Sequence, residues 1–358
     1  MSWDEAKLSD IIVIKKGAYI TKKESKEGPY PVILGGQEPA YYIDKYNHVG
    51  KAIVISRSGA SAGYVSFWNE PIFVTDGFLV EPRENISIDF LYYLLKFKQP
   101  ELQGKQGGAA IPHVNPQIIN AIEIMLPPAS TQEHVTAILS TYDDLIEKNQ
   151  KQIKLLEEAA QRLYREWFVD LRFPGHETTP IADGIPEGWQ QLLLEQVAPI
   201  LTGKKDANFS TEDGQYPFFT CAQTPLQAPS YSFDCDAVIL AGNGDFNVKL
   251  YRGQFEAYQR TYVLSPENTE LLFLLFHAVN NSMAKLAQGA SGSTIKFLTK
   301  GMIASIPVYV PDELTLNKFN ELSEAIQRQI EVLKSTIAHA TEARDRLLPK
   351  LMNGEIEV

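Results

Sequence analysis

At 358 residues, with 44% hydrophobic and 22% charged residues, the chain is long enough for two domains that each bury a core. No apolar run approaches the roughly 20 residues of a membrane span, and the polar, acidic opening MSWDEAKLSD argues against a secretory leader, so a cytoplasmic protein without membrane contact is expected. The net charge of −11 excludes the strongly basic footprint usual in nucleic-acid binders, although residues 1–128, with 13 basic and 14 acidic side chains, are near neutral.

The first half opens on Trp3 and Leu8 and continues in short β-type runs, YPVILGG, KAIVISRSG and PIFVTDGFLVEP, broken by turns. A helix-like stretch DFLYYLLKF follows, then the glycine-rich loop QGKQGGAAIPHVN and an apolar strand that closes on proline, AIEIMLPP. Pro127-Pro128 ends this first globular segment, 1–128. Ser130 or Thr131 then caps a long helix with Glu133 in its first turn, and from Gln132 to Phe168 there is neither proline nor glycine. Apolar or small residues recur at steps of three and four: Ile138, Tyr142, Ile146, Asn149, Ile153, Leu156, Ala160, Leu163 and Trp167. That spacing predicts a coiled-coil seam in a helix spanning 129–171. Asn149 is its one polar member: either a buried residue that fixes register or an exposed one where the seam drifts.

Residues 172–188, rich in proline and glycine, read as a linker, after which the pattern starts again. Trp189 and Leu194 repeat Trp3 and Leu8, Tyr216-Pro217 repeats Tyr30-Pro31, and Ala237–Leu240 repeats Ala52–Ile55. The turn SRSGASAG is answered by AGNGDFN, Val80 and Pro82 by Leu264 and Pro266, DFLYYLLKF by ELLFLLFHA, and AIEIMLPP by SIPVYVPD. Order and spacing hold at offsets of 184–186 across the chain, the signature of an internal duplication. The second globular segment is 189–311, and a second long helix and tail fill 312–358. Its seam, Leu322, Ile326, Ile330, Leu333, Ile337, Ala340, Arg344, Leu347 and Leu351, follows the first at a constant offset of 184. A helix of roughly 50–55 Å is too long for one small domain to bury, so its repeat-mate is the expected antiparallel partner. The expected fold is α+β: two strand-rich heads joined by two long antiparallel coiled-coil helices in a pseudo-two-fold repeat.

Two separate heads suit the reading of two half-sites on one DNA duplex. Base readout needs polar side chains on loops that can approach base edges. In the first half the candidates are Lys15, Lys16, Tyr19, Lys22, Lys23 and Gln37, then Arg57, Ser58 and Ser61 in the glycine-rich turn, then Lys105, Gln106 and His113. The second half offers Lys204, Lys205, Gln223, Asn243, Asn247, Lys249, Arg260, Ser291, Ser293 and Lys296 at corresponding places. Any one of these also fits a solvated loop residue. Arg162–Trp167 and Arg344–Leu351 are the stretches expected to meet partner subunits. Cys221 and Cys235 fit reduced thiols, and no metal set, nucleophile or P-loop is found, so no catalytic residue is assigned. A coiled-coil scaffold with two protein-binding heads is the alternative, and the acidic charge favours it.

The W-x4-L start of each half, the heads ending in LPP and VPD, the long helix after each, and above all the closing RDRLLPKLMNGEIEV resemble the specificity subunits of type I restriction–modification systems over essentially the full length. The end of the first helix, RLYREWFVDLRFPG, departs from that closing pattern, with Phe168 where Met352 stands. The resemblance implies that each head is a target recognition domain for half of a bipartite double-stranded DNA site. It implies that the helices fix the gap between the halves and dock two modification subunits, which hold S-adenosylmethionine and methylate adenine. Two restriction subunits, translocase-nucleases that need ATP and magnesium, can join. This chain itself is then expected to bind no cofactor and to be catalytically silent.

Overall fold

The computed structural model describes residues 3–105, 112–292 and 296–358. In chain order the first half forms β1 (Asp4–Lys7), α1 (Leu8–Ile11), β2 (Ile12–Lys16), β3 (Tyr30–Ile33), β4 (Tyr41–Ile43), β5 (Lys51–Ser56), β6 (Val65–Asn69), β7 (Phe73–Val74), β8 (Gly77–Pro82), α2 (Ile88–Gly104), α3 (Pro116–Asn120), β9 (Glu123–Leu126) and the long α4 (Ala129–Tyr164). Strand β1 pairs with β9 antiparallel, β2-β8-β5-β6 make an antiparallel sheet, and β4-β3-β7 make a third in which β3 and β7 run parallel. The apolar run of β5 is buried on both faces, and the alternation of a strand sends its side chains to two cores. Ile53 and Ile55 pack with Phe90, Leu91, Leu94 and Leu95 of α2, while Ala52 and Val54 pack with Ile33, Ile72 and Val74.

The second half repeats this order: β10 (Ile181–Ala182), β11 (Ile185–Pro186), β12 (Gln190–Leu193), α5 (Leu194–Val197), β13 (Ile200–Thr202), β14 (Tyr216–Phe219), β15 (Leu226–Ala228), β16 (Phe233–Ala241), β17 (Val248–Ala257), β18 (Thr261–Leu264), α6 (Leu272–Gly289), α7 (Lys300–Ala304), β19 (Pro307–Val310) and the long α8 (Glu313–Met352). Apart from the β10–β11 hairpin that precedes the second head, the heads differ in how their sheets join. Where the first has β6 and β7 in separate sheets, β17 runs through both places and joins them into one six-stranded sheet, β13-β18-β16-β17-β14-β15. The strand registers align Glu70-Pro71, between β6 and β7, with Gly253-Gln254. Pro71 has no N–H for a ladder, whereas Gly253 bends the strand at φ +115° and pairing continues through Phe255.

The chain divides into two compact units, Met1–Asn149 with Ser335–Val358, and Gln150–Lys334. Each holds one head together with a part of α4 and a part of α8. A π-helical turn, Arg165–Val169, extends α4 and puts Trp167 and Phe168 into the core of the second unit beside Trp189 and Phe319. Buried positions on α4 are Gln132, Val135, Leu139, Asn149, Ala160 and Tyr164, with Tyr142, Ile146, Ile153 and Leu156 half-buried between them. On α8 they include Leu316, Phe319, Ser323, Ile330, Leu333, Ala340 and Leu351. Leu322, placed in the seam by the sequence pattern, is 47% exposed, and its neighbour Ser323 is buried instead. Leu139 and Tyr164 likewise lie deeper than Ile138 and Leu163. Near its ends each helix turns its apolar face to a head core, so the buried line shifts by one residue there. Asn149 is buried, and its amide nitrogen has no hydrogen-bond partner among the described residues.

The two units hold their helices by different chemistry. In the first, Asp143 of α4 accepts a hydrogen bond from Tyr93 of α2 at 2.6 Å and an ion-paired one from Arg344 of α8, also at 2.6 Å. Burial, and then the bond to Asp143, push the Tyr93 phenol above its ordinary range; burial pushes Tyr92 up to about 12. In the second unit the residue at the place of Tyr93 is His277, packed among Tyr164, Phe276 and Phe319 at ring-centroid distances of 5.0–5.9 Å.

Arg344→Ala should leave Asp143 half-buried with its charge uncompensated and lower the urea-unfolding stability of the first unit by about 2 kcal/mol. Burial lowers the His277 pKa to about 4 from 6.5, so the folded chain binds fewer protons than the unfolded one at that site. The stability from the neutral ring is complete above pH 6.5 and is lost as pH falls towards 4, at most about 3 kcal/mol. His277→Phe should flatten the fall of the urea midpoint between pH 7 and 4.5; an unchanged slope would show that other groups cause it.

Candidate functional site

In each head, three backbone arms meet at one end of the main sheet. In the first head the arms are the turn after β5, the residue before β8, and the segment ahead of α3. The Arg57 amide donates to Asp76 O at 3.3 Å, Val114 N to Arg57 O at 2.9 Å, and Gly59 N to Pro112 O at 3.0 Å. An isolated β-bridge joins Ser58 to His113. The second head reproduces every one of these bonds. Gly242 N donates to Arg260 O at 2.9 Å, Leu298 N to Gly242 O at 2.8 Å, and Gly244 N to Lys296 O at 3.3 Å, with a bridge between Asn243 and Phe297. The correspondence follows the sequence offsets of 184–185.

The frame is shared and its side chains are not. In the first head the Arg57 guanidinium lies 3.6 Å from the Asp76 carboxylate, which also accepts a hydrogen bond from Ser58 Oγ. His113 is exposed beside them, and Ser56 Oγ reaches the carbonyl of Gly36, next to the exposed Gln37, at 3.5 Å. In the second head Arg260 stands where the first has Asp76, exposed and without an ion-pair partner among the described residues. With Thr202, Gly242, Gln259, Phe297 and Lys300 it lines an open cleft of about 470 Å³. Ser291 pairs with Phe297 across the same loop. Both rims therefore present hydrogen-bonding groups on stiff, cross-braced backbone, as contact with a polar macromolecular edge requires.

The other residues singled out in the sequence divide by what they touch. Gln223 Nε2 donates to Asp245 at 2.7 Å, and Asn247 Nδ2 donates to the carbonyls of Cys221 and Asp245 at 3.0 and 2.8 Å. The Lys249 ammonium bonds Asn247 and the Ala222 carbonyl, and burial lowers its pKa. These three brace the loops around the cleft. Lys205 lies over the Phe209 ring at 4.2 Å, while Lys204 is exposed. Lys15 pairs with Glu81 of the neighbouring strand, and Lys105 with Glu101 one turn back in α2. Lys16, Tyr19, Lys22 and Lys23 are exposed on β2 and the following loop, and Ser61 is half-buried in the glycine-rich turn. Gln106 and Ser293 lie outside the described residues. Sequence reasoning missed Asp76, Asp245, Phe297 and Lys300; the offset of 184 that links Val80 to Leu264 also links Asp76 to Arg260 and was the available signal. Among the described residues no His, Cys, Asp and Glu group is arranged to hold a metal, both cysteines are free, and no helix is long and apolar enough to cross a membrane.

A family model described as the type I restriction modification DNA specificity domain matches residues 1–158 and again 186–332. The chain is 38% identical over 181 residues to the specificity subunit of the type I restriction enzyme EcoDI of Escherichia coli, covering 49% of this chain and 40% of that one. It is 25% identical to the MjaIX specificity subunit of Methanocaldococcus jannaschii, over 99% of this chain and 94% of the relative. Among solved structures, the type I restriction–modification S subunit of M. genitalium shares the fold at a TM-score of 0.60 and 18% identity, over 98% of this chain and 96% of that one.

If the Asn247 amide braces its loop, Asn247→Ala should cost about 2 kcal/mol and speed amide exchange around Cys221 and Asp245. Unchanged exchange would show that the side chain is free for other partners.

Proposed function

The chain belongs to the type I restriction modification DNA specificity family, and on that premise we propose that it is the specificity subunit of a type I restriction–modification complex, each head reading one half of a bipartite double-stranded DNA site. The observation that carries this reading is the three-arm frame, built twice with the same hydrogen bonds and furnished with different side chains. Two heads alike in backbone and unlike at the rim are what an asymmetric two-part site demands.

In this reading α4 and α8 form an antiparallel coiled coil that fixes the gap between half-sites. The pairings of Asp143 with Arg344 in one unit and of Tyr164 with Phe319 in the other agree with opposite helix directions. The same helices dock two modification subunits, and Leu155 of α4, an apolar residue at 65% exposure, is available for that contact. The modification subunits supply S-adenosylmethionine and the adenine methylation; two restriction subunits add ATP- and magnesium-driven translocation and cleavage. This chain contributes recognition without catalysis, and it works in the cytoplasm. Its acidic charge fits a reader whose partners neutralise most of the DNA phosphates.

Methylome sequencing of cells expressing this chain with its modification subunit should reveal one bipartite adenine-methylated motif. Replacing residues 1–128 by the matching segment of another specificity subunit should change one half of that motif and leave the other intact. An unmethylated genome with both proteins folded and associated would favour the scaffold reading instead.

A further inference from the structure

The shared frame places an arginine in each head, but on different arms. In the first head Arg57 sits on the turn after β5 and faces Asp76 on the arm before β8. In the second head the position of Arg57 is Gly242, and the arginine, Arg260, is on the arm before β18. Gly242 has to be glycine: a Cβ there would lie 2.3 Å from the Arg260 carbonyl oxygen and 2.8 Å from the Tyr262 ring. Position 242 is thus closed to a side chain in this head, and the arginine of this rim stands on the second arm.

We infer that Arg57 and Arg260 are specificity-determining residues, each reading one guanine, in the half-site of its own head. The inference rests on the proposed role of the heads as DNA readers. An arginine presents two parallel N–H donors, and only guanine offers the matching O6 and N7 acceptors in the major groove. Both side chains meet the steric requirement for that contact, because both project from braced backbone into solvent. They differ in preparation. Asp76, itself held by Ser58 Oγ, places a carboxylate 3.6 Å from the Arg57 guanidinium, and 44% of that side chain stays exposed. Among the described residues Arg260 has no such acid, and it stands on the rim of the cleft beside Lys300. The two guanines therefore lie at different depths relative to the common frame, and the half-sites differ in where guanine falls.

The test is methylome sequencing of cells expressing the chain and its modification subunit, with the variants Arg57→Ala, Arg57→Lys and Arg260→Ala. Arg57→Ala should relax one guanine position in one half of the motif, with preference for guanine there falling roughly 10- to 100-fold. Arg260→Ala should do the same in the other half only. Arg57→Lys keeps the charge and the fold but loses the fork, and should relax the same position as alanine. Motifs unchanged at every position, or methylation weakened evenly over an intact motif as for a phosphate contact, would overturn the assignment. Wild-type protein that produces no bipartite motif would instead overturn the underlying reading of the heads.

Discussion

An amphipathic helix of 36 or 40 residues is stable in water only if its apolar stripe is covered along its length. Everything else in this chain answers to that requirement. Neither head is large enough to cover such a stripe alone, and each compact unit takes only part of each long helix into its core. Val135 and Leu139 of α4 and Leu351 of α8 enter the first core, and Tyr164, Leu316 and Phe319 the second. The first unit therefore joins two stretches far apart in sequence, Met1–Asn149 and Ser335–Val358, with the second unit, Gln150–Lys334, between them in the chain. The heads owe their orientation on the helices to this sharing, because the same side chains serve helix and head at once.

Duplication supplied two copies of one solution, and divergence then acted where the backbone constraint was weakest. The hydrogen bonds of the three-arm frame persist in both heads, since losing any one would leave a peptide group unpaired in a crowded junction. Side chains at its rim carry no such duty and have drifted freely: Ser58 against Asn243, His113 against Phe297, Asp76 against Arg260. A larger change, the merging of two sheets through β17, turns on the exchange of Glu70-Pro71 for Gly253-Gln254.

The architecture was legible in the sequence because repeats and periodicity are global signals. The offset near 184 aligned heads and helices alike, and the apolar runs of β5 and β16 stand where the pattern placed them. Along the long helices the buried positions lie within one residue of the three- and four-step pattern. Leu322 and Ser323 exchange roles because a three- and four-step count follows hydrophobicity, whereas burial there follows the direction in which the head lies. The site was less legible. Composition marks Asn247 and Lys249 as loop residues able to bond DNA, yet their bonds go to the loops themselves. Asp76 was missed for the opposite reason: an isolated acid before a strand does not advertise the arginine nineteen residues earlier, and only the repeat offset to Arg260 marks its place.

The Asp143–Arg344 pair has a consequence for how like and unlike halves associate. By the repeat offset of 184, the counterpart of Arg344 in α4 is Ala160, and the counterpart of Asp143 in α8 is Gln327. Two copies of the first half, paired head to tail, would set Asp143 against an alanine and strand a carboxylate between helices. Two copies of the second half would set Arg344 against Gln327 and leave the guanidinium without a carboxylate on the facing helix. The chain thus carries a mating-type distinction within its own duplication, in which only unlike halves complete the contact, and self-recognition between identical halves is penalised by an unmatched charge.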